Sequence, residues 1–334
     1  MKIQYKSIDI AKFIASLLVI AIHSKPLNGL GYEIIINVIA RCAVPFFFII
    51  GSFFFFSKSP DKKTLKKYII RIAKLYVIWF VIDIPLTYVN RFHNDQYFVE
   101  NIYKLIRSFF ISSTFSGSWY LTASIEGTIL VYLLSKRLNN ILIFLFCFIL
   151  YILSVMFTFY SSFLPNDIVL WIYKHLGLLS NTFFSSSIFI ILGKIIADNK
   201  ETSFHRKNII SIGLVVSFSL ALSEVIFTIP YRKTIFASTD SYLSLIPLGF
   251  FIALWILSHE IVSKKSYLKL RNYSTIFYFI HFSFVWIFIF INKHYFNIDP
   301  IIIYLSTVVC CTVFAEFIIN VSRIPKFTWL KYSF

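Results

Sequence analysis

The chain has 334 residues, of which 58% are hydrophobic, 20% aromatic and only 14% charged, with 32 Lys and Arg against 15 Asp and Glu for a formal net charge of +17. A soluble domain carries roughly 25% charged residues, so this composition excludes an ordinary water-soluble globular fold. The basic residues lie in loops between apolar runs and form no stripe, which excludes a nucleic-acid-binding surface and leaves membrane topology as their reading.

Ten apolar runs approach the ~20 residues needed to cross a bilayer: 10–26, 34–56, 69–88, 119–134, 141–163, 182–197, 209–229, 242–257, 273–291 and 301–321. Two half-apolar stretches, 99–114 and 168–179, are too short or too charged to span and read as interfacial or re-entrant helices. The prediction is an all-α, polytopic membrane protein of about ten transmembrane helices, forming one domain over 1–334 without repeat or linker. The first run contains charge and lacks a small-residue cleavage site, so it reads as a retained helix. About 22 basic residues gather on one side, including the cluster from Lys58 to Lys74, against about eight on the other. The richer side is then cytoplasmic, and both termini face it. Cys42, Cys147, Cys310 and Cys311 lie inside apolar runs without metal-ligand spacing and read as small core residues; no metal is expected.

An ionisable group in hydrocarbon costs ~2.5–3.5 kcal/mol on insertion scales, so such residues mark function or a cavity. The first run carries Asp9, Lys12 and His23. Lys12 and His23 are eleven residues apart; at about 100° per residue both project from one face, about 16 Å apart along the axis. Asp9 sits one turn before Lys12 and is placed to pair with it or orient it, while snorkelling to the interface is the bland alternative for Lys12. A lone intramembrane His is more often a packing residue, but His23 shares its face with Lys12, and the second run adds Arg41. Arg41 precedes Pro45, so it reads either as a functional cation or as a clamp on carbonyls that the proline frees. The fourth run opens Gly117-Ser118-Trp119-Tyr120-Leu121 and carries Glu126, a counter-ion candidate for Arg41 or His23; Trp119 and Tyr120 also fit an aromatic belt. His281, Glu224 and Glu316 are weaker candidates. Arg71 and Lys74 put two cations one turn apart, a geometry suited to phosphate, or equally to anionic headgroups.

The motifs Asp9, Lys12 and His23, then 41–54, Arg71-Ile72-Ala73-Lys74, Trp119-Tyr120-Leu121 and Tyr278-Phe279-Ile280-His281 resemble the acyltransferase-3 family of membrane acyltransferases, which modify bacterial surface sugars. Within it the segments 23–27, 40–48 and 119–125 are similar to the membrane half of the vancomycin-resistance serine/alanine racemases. The soluble racemase domain of that branch has no counterpart in this sequence, so racemization is not expected, whereas that branch's association with amino-acid uptake keeps a transport reading open. The sequence departs from the family pattern in carrying Lys12 and Lys74 where Arg is usual and Gly51-Ser52-Phe53 where Ser-Gly-Phe is usual.

The resemblance implies a bacterial cytoplasmic-membrane O-acyltransferase with no resident cofactor. Acetyl-CoA is its implied donor, with Lys12, Arg71 and Lys74 as donor-binding residues, and a surface or lipid-linked glycan its acceptor. His23, Arg41 and Glu126 are then the expected catalytic residues, with Asp9, Trp119 and Tyr120 in support. His23 would act as general base or acyl carrier, and Lys12 or Arg41 would steady the oxyanion. The expected partners are membrane lipids, acetyl-CoA and the glycan, with no nucleic acid and a homo-oligomer left open. The rival readings are a transporter of serine-like amino acids or glycan, and a structural subunit.

Overall fold

The computed structural model of the chain describes residues 5–92, 114–200, 204, 206–232, 238–261 and 267–334. Among these there is no strand. In chain order the helices are α1 (Lys6–Ser24), α2 (Gly29–Phe56), α3 (Lys62–Phe92), α4 (Trp119–Leu134), α5 (Asn140–Met156) and α6 (Asn166–Leu176). They continue with α7 (Phe183–Asp198), α8 (Lys207–Thr228), α9 (Leu245–Ser258), α10 (Leu268–His294) and α11 (Pro300–Val321), and a 3₁₀ tail, Pro325–Ser333, closes the chain.

Each of the ten predicted runs coincides with a helix. Six segments are long and apolar enough to cross a membrane: α1, α2, the broken stretch Asn166–Asp198, Lys207–Tyr231, α10 and α11. The apolar helices α4, α5 and α9 have 16, 17 and 14 residues. At 1.5 Å per residue a 14-residue helix is about 21 Å long, short of a ~30 Å hydrocarbon core. The outer faces of the bundle are apolar: Ile212, Val215 and Val313 are each about two-thirds exposed, as lipid contact requires and water would penalise.

Three predicted elements differ in detail. The basic cluster expected in a loop before 69–88 is itself helical, because α3 starts at Lys62. Asp61 receives both the backbone N–H and the hydroxyl of Thr64, at 2.7 and 2.6 Å. These bonds hold its carboxyl below the usual carboxylate range, and the carboxylate offsets a first turn otherwise filled with lysines. The second run is not one regular helix. Tyr32–Ile39 is π-helical, Ala40–Cys42 is 3₁₀, and the α-helix begins at Ala43; Pro45 cannot donate to Arg41 four residues back, and the ladder shifts register there. The fifth run ends as a helix at Met156, and its remainder is turns and a 3₁₀ turn, Ser161–Phe163.

The stretch predicted to be interfacial at 168–179 is the helix α6, of which only Val169 is buried; it stops at Gly177, whose φ of 74° suits glycine. The other such stretch, 99–114, lies outside the described residues apart from Thr114.

α7 is buried along most of its length, from Ser185 to Gly193 and again at Ile196, as expected of a helix enclosed by others. It crosses α2 at Gly193, where an added Cβ would stand 2.0 Å from Ser52 Oγ and 2.3 Å from the Ile49 carbonyl oxygen. Small residues let membrane helices approach this closely. Gly193→Ala forces the α2 backbone away and is expected to cost about 1–3 kcal/mol, read as a lowered unfolding temperature in detergent. An unchanged temperature would mean that the two helices do not meet there.

Candidate active site

A cavity of about 450 Å³ opens where α1 and α3 begin and α2 ends. Lys12, Lys58, Lys67 and Arg71 supply its cations, and Tyr68, Tyr120, Tyr278, Tyr332 and Phe334 are among its aromatic walls. Among the described residues no carboxylate comes within ion-pair distance of these four cations. Lys12 Nζ lies over the Phe54 ring at 5.9 Å, which offsets part of its desolvation. Asp9 is buried and feels the charges of Arg271 and Lys12 without an ion pair to either. Gly51 also lines the cavity, with open space where a Cβ would stand, so the Gly51-Ser52 pair divides its work: Gly51 leaves room and Ser52 meets Gly193.

Lys74 is not in this wall. Its ammonium lies 4.5 Å over the ring of Tyr332, so of the two residues read as a cytoplasmic anion grip only Arg71 faces the cavity, joined by Lys58 and Lys67.

At the other end of the same unbroken helix stands His23, half-buried, its ring 4.2 Å from Phe282 and 5.3 Å from His281. His281 is fully buried. Its Nδ1 meets the Phe277 carbonyl at 2.9 Å, which places the proton on Nδ1, while Nε2 has no hydrogen-bond partner among the described residues. Tyr278, in the cavity wall, lies 6.3 Å from His281 and 5.3 Å from Tyr120, ring to ring. Tyr278 and His281 thus form a chain of ring contacts from the cavity wall to His23. Gly117 pins the loop before α4 against this cluster: its φ is 85°, and a Cβ there would meet the Phe282 ring at 3.3 Å. Ser118 Oγ accepts the backbone N–H groups of Thr114, at 3.1 Å, and Phe115, at 3.4 Å, shaping that loop.

Arg41 is one of the charges that act on His23. Its guanidinium binds Asp240, which also accepts from Ser238 Oγ at 2.5 Å, and Arg41 Nε is buried without a partner among the described residues. The anticipated counter-ion Glu126 is not there. Its carboxylate faces the backbone N–H of Phe183, at the start of α7, where the helix dipole favours an anion. Glu126 does not line the cavity, and no contact with His23 is found among the described residues; the spacing on α4 gives its face but not which neighbour that face meets. Trp119 packs 6.4 Å from Phe48, and Tyr120 packs 4.8 Å from Phe48 and stands in the cavity wall.

The weaker acids have structural partners. Glu224 accepts the Leu243 and Ser244 N–H groups at 2.8 and 2.7 Å and the Tyr160 hydroxyl at 2.7 Å, satisfying the start of α9. Glu316 binds Lys269 and Tyr273. The start of α2 and the end of α8 are joined by a polar chain in which Arg232 donates to Glu33 at 3.0 Å, Asn37 to Glu33 at 2.8 Å, and Thr239 to Asn37 at 2.8 Å. Two further acids, Asp240 and Asp83, belong to none of the sequence motifs. Asp83 is buried on α3 and accepts from Ser283 Oγ at 3.1 Å, two residues past His281; a lone acid in an apolar run was the signal.

Residues 5–317 match the family model described as an acyltransferase domain, and the chain belongs to the acyltransferase-3 family. Its curated relatives include two proteins of Enterococcus faecalis named amino-acid racemase. One is 30% identical over 217 residues, 62% of this chain and 30% of the relative; the other is 31% identical over 164 residues, 46% and 23%. A serine/alanine racemase of Enterococcus gallinarum is 28% identical over 135 residues, 38% of this chain and 19% of the relative. The chain thus spans less than a third of the length of these relatives. No solved structure matches it.

Proposed function

We propose that the protein is an O-acyltransferase of the bacterial cytoplasmic membrane, moving acetyl from acetyl-CoA to a hydroxyl of a cell-surface or lipid-linked glycan. The observation that carries this is the placement of Lys12 in a cationic cavity and of His23 on the same unbroken helix, about 16 Å farther along. A pantetheine arm is roughly that long. The donor's phosphates would rest on Lys58, Lys67 and Arg71 on the basic side, taken as cytoplasmic, and its thioester would reach the His23 end past Tyr278.

There His23 takes the proton of the acceptor hydroxyl as its oxygen attacks the thioester carbonyl. The tetrahedral intermediate collapses with cleavage of the C–S bond, and the imidazolium returns the proton to the CoA thiolate. The unpartnered Nε of Arg41 is a donor available to the oxyanion, a contribution of about 3–4 kcal/mol for one well-placed donor. Glu126 has no step in this scheme.

A second reading, amino-acid transport through the same polar site, takes its substrate class from relatives named as racemases of amino acids. The two separate in one experiment on the protein in lipid. Acyl transfer requires CoA release from acetyl-CoA that depends on a surface-glycan acceptor. Absence of release beside intact serine uptake would replace the transferase by the carrier.

A further inference from the structure

The 3₁₀ tail is fastened into the cavity wall by buried contacts. Trp79 Nε1 donates to the Ser333 carbonyl at 3.0 Å, Ser333 Oγ bonds the Leu330 carbonyl at 2.7 Å, and Trp79 stacks on Phe279 with ring centres 5.3 Å apart. Trp79, Leu330 and Ser333 are all buried. Between these anchors Tyr332 is held at the cavity rim, 53% exposed, although Ser333 beside it is buried and Phe334 half-buried. Lys74 covers the ring from 4.5 Å. An exposed aromatic ring fixed on a buried anchor, backed by one cation and facing a cavity with Lys58, Lys67 and Arg71, matches a ligand that is flat at one end and polyanionic beside it.

We propose that Tyr332 is the stacking platform for the base of the donor nucleotide, with Lys74 steadying the ring and taking no phosphate. This rests on the acyl-CoA reading and adds a specificity element: donors carrying a nucleotide are selected over acyl-phosphopantetheine by the tail. Stacking of a base on an aromatic ring accounts for about 5- to 150-fold in affinity.

The test uses the full chain in lipid with two donors, acetyl-CoA and acetyl-phosphopantetheine, which lacks the nucleotide. Tyr332→Ala is expected to raise KM for acetyl-CoA about tenfold, within that range, with kcat unchanged and KM for acetyl-phosphopantetheine unmoved; Tyr332→Trp restores the parental KM. The unmoved second donor also reports that the variant is folded. A KM for acetyl-CoA indifferent to Tyr332→Ala, or raised equally for both donors, overturns the stacking alone. A parent that uses and binds neither donor overturns it together with the acyltransferase reading.

Discussion

His23→Ala is expected to lower acceptor-dependent CoA release by about 10²–10⁴-fold, the usual contribution of a positioned general base. KM for acetyl-CoA should stay within a few-fold of the parent, because the cations that would hold the donor lie at the opposite end of α1 and His23 does not line their cavity. The fold should survive. His23 is half-buried against the Phe282 and His281 rings, and among the described residues it has no hydrogen bond whose partner alanine would orphan. His23→Gln, which keeps bulk and polarity but is no base, should be as inactive as alanine. Steady-state kinetics on both variants give the answer, and near-parental kcat in His23→Gln would remove the base from His23.

Removing two cavity cations together, Lys67→Ala with Arg71→Ala, produces the second large effect, and on the other kinetic constant. Hydrogen bonds to charged groups contribute about 1.5–3 kcal/mol each, so the pair should raise KM for acetyl-CoA by about 10²-fold or more while kcat changes little. The remaining KM should also depend less on salt, because fewer exposed charges remain to be screened. Lys74→Ala is the control: its ammonium rests on the Tyr332 ring and Lys74 itself does not line the cavity, and its loss should cost only a few-fold. A Lys74→Ala effect equal to that of Arg71→Ala would mean that phosphate sits where the spacing alone placed it, one turn along α3.

The contrast between Arg71 and Lys74 shows what the sequence could and could not carry. Runs of apolar residues mark where helices lie along the chain, because in lipid the backbone must satisfy its own hydrogen bonds. Periodicity along one helix is equally readable, so Lys12 and His23 are recognised as sharing a face from their spacing. Which helix meets that face is not readable, since lipid-soluble helices are apolar on several sides. Glu126 turns to α7 and not to Arg41, and Arg41 finds Asp240, 199 positions away. The register shift at Tyr32–Ile39 depends on Pro45 and on what packs around it, and the tail enters the cavity wall through Trp79 and Ser333, 254 positions apart. Such pairings are products of the packed bundle.

In the proposed reaction one donor reaches from a cationic cavity at one membrane face to His23 near the other. Sealed proteoliposomes with a single orientation test it directly, with labelled acetyl-CoA supplied only to the face that carries the basic cavity and the glycan acceptor only to the opposite face. Labelled acetyl on the acceptor and free CoA on the donor side are expected, both lost in His23→Gln. Label on the acceptor only when donor and acceptor share one compartment would contradict it.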